Sequence, residues 1–342
     1  MRIAVLMGGV STEHPISLKS GKNIAQALIS RGHQVCAVVL RPDGKWTVPP
    51  AFMDSSQVAQ IVAKPPAGEF PERSLCALRD LDIDVVFPAL HGPNGEDGTM
   101  QGLLHIMGFA FVGSGHLGAA LSSDKLVSKA LYREAGLPIA PHLMLTVADS
   151  PETGLQLGLP LVLKAPSQGS SFGLAIAKTE EEYFAEFQRI MPLEGRLMVE
   201  KFIKGREITC GVLELSDGSL LGLPPTEIVP KVSEYFDFAA KYNVGGSDEI
   251  TPAPITPENT ALVQDLAVKA HRALNMRGLS RTDFILTPGG VILLETNALP
   301  GFTETSLFPQ AAQAAGYSFG EIVEHLIIAA LAAAPGHSVF QR

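Results

Sequence analysis

Three short apolar runs, Ile3–Met7, Val35–Leu40 and Asp84–Ala89, alternate with stretches of helical periodicity such as Ser17–Arg31. Runs of this length between helices are strands covered on both faces, and such strands pair in parallel. Ala110–Val112 is expected to add a fourth. Open parallel sheets present ligands at the carboxyl ends of their strands. Here those ends carry Gly8-Gly9-Val10-Ser11-Thr12-Glu13 and His91-Gly92-Pro93-Asn94-Gly95-Glu96-Asp97-Gly98.

Beyond this first third, Leu121–Gly136 is expected to be one helix, stopped by Gly136 and Pro138. Pro160–Ala165, Leu174–Ala177 and Leu197–Phe202 are expected strands around a helix at Glu180–Ile190. Glu207–Leu215, Arg281–Leu286 and Val291–Glu295 are further strands, with helices at Pro257–Leu274 and Phe319–Ala333. The length of 342 residues suits two or three domains at roughly 150 each. Boundaries near 114 and 205 divide it into segments 1–113, 114–204 and 205–342. The class is α/β, with α+β character in the later segments.

Composition narrows the function classes. Twenty-six Lys plus Arg against 35 Asp plus Glu gives a net charge of −9, which argues against a nucleic-acid partner. A local basic cleft for an anionic ligand remains compatible with that total. Apolar residues make up 46% and charged residues 18%, a balance that builds a core rather than a disordered chain. The three cysteines form no CxxC pair, so neither a disulfide framework nor a thiolate zinc site is expected, and a reducing compartment fits. The opening Met1-Arg-Ile-Ala-Val-Leu-Met-Gly-Gly is too short an apolar run for a signal peptide. Leu326–Ala334 falls well short of the about 20 residues that cross a bilayer. A soluble cytoplasmic protein without a membrane partner is expected.

Two motif matches lead elsewhere. Gly113-Ser-Gly115-His-Leu-Gly118 fits GxGxxG, yet no acidic residue ends the next strand where a ribose hydroxyl would need one; a tight domain-joining turn is expected instead. Gly169-Ser170-Ser171-Phe172-Gly173 fits GxSxG, but a nucleophile elbow needs a helix after the serine. The residues that follow, Leu174–Ala177, are strand-like, so a hairpin with a glycine-serine tip is expected.

Three constellations carry chemistry. The first is Arg281-Thr-Asp283 with Glu295-Thr-Asn297. Alternation along a strand puts Glu295 and Asn297 on one face. A three-residue loop, Pro288-Gly289-Gly290, would set Asp283 opposite Glu295 and Arg281 opposite Asn297, with all four side chains together. A two-residue loop would shift the register by one and send Asp283 to the other face. Two carboxylates and an amide oxygen are hard ligands suited to Mg²⁺. The second constellation is a phosphate set: Lys164 at the end of an apolar strand, the small residues Gly169-Ser170-Ser171, Lys125 opening a helix, and Lys241 in a glycine-rich stretch. The third is Glu200-Lys201-Phe202-Ile203 with Glu207, a strand end offering backbone groups, an apolar plate and a carboxylate to a base and its ribose.

Taken in order, these strings resemble the D-alanine–D-alanine ligase family of the ATP-grasp superfamily. The resemblance runs from Met7-Gly-Gly to Ser306-Leu307. It is carried by His91-Gly92…Gly95-Glu96-Asp97-Gly98-Thr99…Gln101-Gly102, Asp124-Lys125, Lys164…Gly169-Ser170-Ser171, Glu200-Lys201…Glu207, Lys241-Tyr242, Arg281-Thr-Asp283-Phe284 and Glu295-Thr-Asn297…Pro300-Gly301…Ser306-Leu307. The family's fold would be an N-terminal parallel-sheet domain followed by two α+β domains gripping ATP. Lys125, Lys164 and Lys241 would bind ATP phosphates, with Ser171 in the flap above and Lys164 also near the adenine. Glu200, Lys201 and Ile203 would meet the adenine edge, Phe202 its face and Glu207 the ribose. Asp283, Glu295 and Asn297 would hold two Mg²⁺ or Mn²⁺ ions. Glu13, helped by His91, would bind the ammonium of a first D-alanine; Ser306 and Leu307 would hold a second. Arg281 and the Gly301 N–H would stabilise an oxyanion. Ser170, Tyr242 and Glu13 would close the site, with 233–249 as a lid. A homodimer is the implied assembly.

Some positions depart from the family pattern: Pro15 after Glu13-His14, His105 where Glu is common, Phe202 for a frequent Trp, and Ala165 and Gln168 before the flap. A ligase joining D-alanine to D-serine or D-lactate is the alternative, and Tyr242 favours an amine as the second substrate.

Overall fold

The computed structural model describes residues 1–168, 173–231 and 246–334. The first segment holds β1 (Arg2–Gly8), α1 (His14–Ser30), β2 (Gln34–Leu40), β3 (Trp46–Thr47), α2 (Ser55–Ala63), α3 (Pro71–Asp80), β4 (Val85–Pro88) and α4 (Thr99–Ile106). The sheet order is β3-β2-β1-β4, with β1 parallel to both β2 and β4 and β3 an antiparallel edge. Along β1, Ile3, Val5 and Met7 enter one core while Ala4 and Leu6 enter another. All five are fully buried, which is why the run lacks the polar alternation of a one-sided strand.

The expected fourth strand is a single bridge. Val86 N–H donates to Ala110 O at 2.8 Å and Val112 N–H to Val86 O at 2.9 Å. Gly113, at a φ of +94°, then turns the chain away. Gly115 opens α5 (His116–Ser123) as its N-cap. A Cβ on Gly118 would lie 2.6 Å from the Asn275 carbonyl oxygen, so the third glycine of the GxGxxG match, inside α5, lets that helix pack closely on the chain at Asn275.

The helix expected over Leu121–Gly136 is two helices, α5 and α6 (Lys125–Glu134). Asp124 interrupts it with an extended backbone and accepts from the N–H groups of Leu126 and Val127. A short carboxylate side chain offers the next helix's free N–H groups a partner, which favours a cap over continuation.

The middle sheet contains β5 (His142–Thr146), β6 (Leu161–Lys164), β7 (Leu174–Ala177) and, after α7 (Glu180–Glu194), β8 (Arg196–Lys201). Its order is β5-β8-β6-β7, antiparallel throughout. Since β6 and β7 are paired arms with Lys164 opposite Leu174, the residue run after the GxSxG match is strand, and a nucleophile elbow is excluded.

The last sheet comprises β9 (Arg206–Glu214), β10 (Leu220–Gly222), β11 (Thr226–Pro230), β12 (Ser247–Ile250), then, after α8 (Pro257–Ala273), β13 (Leu279–Thr287) and β14 (Gly290–Asn297). Its order is β12-β11-β9-β13-β14, with β10 beside β9. Helices α9 (Leu307–Ala314) and α10 (Phe319–Ala332) close the described chain. Gly211 on β9 lacks the Cβ that would stand 2.9 Å from Phe308, so α9 packs close to the sheet. Ile322, Val323, Leu326 and Ile327 of α10 join the same core as Ile3 and Val5. The apolar run near the C-terminus is therefore a buried helix face, and among the described residues no single helix is long and apolar enough to cross a membrane.

Candidate active site

The site is built on the β13–β14 hairpin. Thr287 pairs with Gly290, so the loop has two residues, Pro288 and Gly289, rather than the three expected. The register nevertheless comes out as needed at the far end: Asp283 opposes Glu295 and Arg281 opposes Asn297. A bulge between Asp283 and Phe284 inserts Leu294 as the extra residue and resets the alternation. On the opposite face Tyr132 of α6 donates to Thr296 Oγ1 at 2.8 Å, and Thr296 and Thr282 hydroxyls meet at 3.0 Å, which pins the reset register.

Asp283 is the hub of the polar face. Arg281 grips it with Nε and a terminal nitrogen, each at 3.1 Å. Thr209 Oγ1 donates to it at 2.6 Å and Asn297 Nδ2 at 3.4 Å. Burial opposes the Arg281 guanidinium's charge, but Asp283, then Glu295 and Glu96, more than restore it, and its pKa is raised. Lys125 lies 3.4 Å from Glu295 Oε2 and donates to Gln168 O at 2.8 Å.

This face fits divalent cations. Among the described residues no three His, Cys, Asp or Glu side chains gather as a closed cage. Two carboxylates and an amide make instead an open set of hard donors, the kind that leaves positions for water and phosphate oxygens. Arg281 and Lys125 now supply positive charge to the same carboxylates.

The hairpin lines a cleft of about 540 Å³ that also includes Glu13, His91, Gly301, Ser306 and Leu307. Glu13 is the N-cap of α1. Gly92, at a φ of +75°, comes so close that a Cβ would be 3.0 Å from Glu13 Oε2. Pro15 sits in the first turn of α1, where a missing N–H breaks no helical bond. The buried His91 ring reaches Glu96 Oε1 at 3.3 Å and Ser20 Oγ at 3.3 Å. Burial works against its protonation, while Glu96 and then Glu13 outweigh that and raise its pKa. His105, by contrast, is exposed beside His116, away from the cleft lining.

At the other end Ser306 caps α9, and its Oγ accepts from Thr303 N–H at 3.0 Å. A Cβ at Gly301 would sit 3.1 Å from that Oγ, so glycine keeps the backbone and hydroxyl close.

A second polar cluster lies on the middle sheet. Glu200, only 2% exposed, takes Lys164 Nζ on one carboxylate oxygen at 2.9 Å and Lys129 Nζ on the other. Burial favours the neutral acid, but the two lysines dominate and hold the Glu200 pKa low. Lys164 also feels Glu295 and Glu207, so the charged cluster of the middle sheet and the hairpin carboxylates share one field. Lys201 turns its ammonium onto the Gly158 and Leu159 carbonyls at 2.7 and 3.3 Å, and its N–H donates to Pro141 O at 2.9 Å. Phe202 N–H donates to Pro160 O at 3.1 Å, and Phe202 and Ile203 are half-buried. Ser170, Ser171, Lys241 and Tyr242 lie outside the described residues, as does most of the 233–249 stretch.

Sequence reasoning missed Thr209, Lys129 and any role for Glu96. Lys129 is one helical turn from Lys125, a spacing that puts both on one face. Thr209 is 74 positions from Asp283 and carries no local signal.

A parallel-sheet domain, two antiparallel sheets with a basic cluster on one and a carboxylate hairpin on the other, and a cleft between such groups define an ATP-grasp enzyme. Family models described as the D-ala D-ala ligase N-terminus and C-terminus match residues 2–114 and 131–328. The chain belongs to the D-alanine–D-alanine ligase family. It is 41% identical to the D-alanine–D-alanine ligase of Leptospira interrogans serovar Lai, over 95% of this chain and 97% of that one. It is 40% identical to that of Desulforudis audaxviator, with the same coverage. Among solved structures, the D-alanine–D-alanine ligase from Coxiella burnetii superposes with a TM-score of 0.81 at 28% identity, covering 97% of this chain and 94% of that one. The VanG D-Ala:D-Ser ligase from Enterococcus faecalis gives 0.81 at 27%, covering 96% and 99%.

Proposed function

We propose that this chain joins two D-alanines into D-alanyl-D-alanine through an acyl phosphate, converting ATP to ADP and phosphate, in the synthesis of peptidoglycan precursors. The observation that carries this reading is the common cleft: Arg281, Glu295 and Asn297 line it together with Glu13 and His91 at one end and Ser306 and Leu307 at the other.

A carboxylate acylates poorly because its leaving group would be oxide. Transfer of the γ-phosphoryl group to a carboxylate oxygen of the first D-alanine makes phosphate the leaving group. Glu13, with His91 behind it, binds that D-alanine's ammonium and fixes its orientation. Lys125 and Lys164, with Lys241, hold the phosphates. Asp283, Glu295 and Asn297 would hold two divalent cations, Mg²⁺ or Mn²⁺, whose chemistry there is to spread charge on the transferring phosphoryl group. Ser306 and Leu307 seat the second D-alanine, which attacks as its free amine. The tetrahedral oxyanion then develops beside Arg281 and the Gly301 N–H, and preorganised donors of this kind contribute on the order of 3 kcal/mol each. Ser170, Tyr242 and the 233–249 lid would exclude water, which would otherwise hydrolyse the acyl phosphate. The assembly we expect is a homodimer.

The test is phosphate release from ATP across D- and L-amino acids and D-lactate, with mass spectrometry of the product. D-alanine alone should support turnover and yield the dipeptide. Preferential ligation of D-serine or D-lactate would assign the alternative.

A further inference from the structure

Helix α6 carries Lys125, Lys129 and Arg133 at four-residue spacing, hence on one face. Lys125 reaches Glu295 on β14, Lys129 reaches Glu200 on β8, and Arg133 lies 3.2 Å from the His142 ring on β5. Tyr132 beside them reaches Thr296 on β14. One helix thus fastens the hairpin of the last sheet to the nucleotide cluster of the middle one. Lys129 is the group in this row that no motif marks. It is fully buried, and its ammonium is placed on a carboxylate oxygen of Glu200 whose twin is 2.9 Å from Lys164.

We infer that Lys129 is a positioning residue for the nucleotide site: it fixes the Glu200 carboxylate, and through it aims Lys164 at ATP. The inference rests on the ATP-dependent reading above. Its geometry is specific. Glu200 stands opposite Val162 on β6, so Lys164, two residues along, is on the same face and meets Glu200 diagonally. With one carboxylate oxygen held from the helix side, the other is left facing the strand lysine in a single orientation. A Glu200 held by Lys164 alone is free to rotate, and Lys164 follows it. The cluster's charges also matter: two lysines against one carboxylate leave a net positive charge at the end of β6, where an anion is to bind. Burial dominates and lowers the Lys129 pKa, while the Glu200 carboxylate works in the opposite direction and favours the ammonium.

The removal of Lys129 should therefore weaken nucleotide binding and leave D-alanine binding unchanged. Calorimetry with ADP and steady-state kinetics on the full chain test this with K129M, K129R, E200Q and K129M/E200Q. K129M should raise the Kd for ADP and the KM for ATP at least about tenfold, with the KM for D-alanine unchanged. K129R, which keeps the charge, should restore most of the affinity. K129M/E200Q should bind ADP no worse than E200Q alone, because Lys129 acts only through Glu200; it also removes the orphaned carboxylate, so it carries the test if K129M folds poorly. Unchanged ADP affinity in K129M, or fully additive losses in the double variant, would overturn the inference. Failure of the wild-type chain to bind ADP would instead overturn the ATP-dependent reading.

Discussion

Asp283 and Glu295 face each other across the β13–β14 hairpin because Leu294 is an extra residue in the strand between them and the turn. The two-residue loop would by itself put Asp283 opposite residue 294, and the bulge undoes that shift. A functional face is thereby set by a local irregularity rather than by the turn. Removal of Leu294 should leave Glu295 opposite Asp283 in regular pairing but take away the local bend and twist that the bulge gives β14 beneath the carboxylates. Since misplacements of about 1 Å at a reacting centre cost on the order of 10²-fold, the Leu294 deletion should lose at least that much kcat while the protein still melts cooperatively. Retained activity would mean that the bulge does not place the carboxylate.

Arg281 holds Asp283 through two hydrogen bonds and lines the same cleft as Gly301. Arg281→Ala should lower kcat by about 10²–10³-fold, the range for loss of an oxyanion donor. ADP should still bind, because the lysines proposed for its phosphates, Lys125 on α6 and Lys164 on β6, lie on other elements. Near-normal kcat would remove Arg281 from the chemistry.

His271 on α8 is buried and its Nδ1 meets Ser280 Oγ at 2.8 Å. Burial, with Arg272 nearby, lowers its pKa from 6.5 to about 4. A depressed histidine pKa means that the unfolded chain binds a proton first. Stability should then fall as pH drops from about 6.5 to 4 and level off below, by roughly 3 kcal/mol at about 1.4 kcal/mol per pKa unit. His271→Gln should flatten that part of the stability–pH curve, measured by denaturant titration; an unchanged slope would assign the decline to other groups.

Cys36 and Cys210 are buried and Cys76 is exposed. Burial pushes the first two thiols up to about 12, and a thiol without thiolate character is inert. A small disulfide reagent should modify one thiol in the native protein and three after denaturation, counted by absorbance. Rapid modification of all three without unfolding would show that the cores around β2 and β9 open readily.

Much of the site was legible because its chemistry needs particular residue types at particular strand positions. Alternation alone groups Arg281 with Asp283 and Glu295 with Asn297; the expectation that the two pairs share a face rests on a three-residue loop that the hairpin does not have, and the bulge at Leu294 supplies the register instead. Asp124 shows the opposite case: the helical pattern runs through it, and only the cap geometry reveals two helices. Lys129 was invisible because a lone lysine in a helix is usually a surface residue, and its partner lies 71 positions away on another sheet. Thr209 has the same problem, since register between β9 and β13 is a property of the assembled sheet. Pro15 stood out in the sequence as a departure, yet it occupies a helix turn that accepts proline without cost.

The acyl phosphate is the centre of the account, and its oxygen can be followed. D-Alanine labelled with ¹⁸O in its carboxylate should be incubated with ATP and the enzyme, and the released phosphate analysed by mass spectrometry. Phosphoryl transfer to the carboxylate predicts one ¹⁸O atom in each phosphate, because the C–O bond is the one broken when the second amine attacks. Unlabelled phosphate accompanying dipeptide formation would contradict the mechanism.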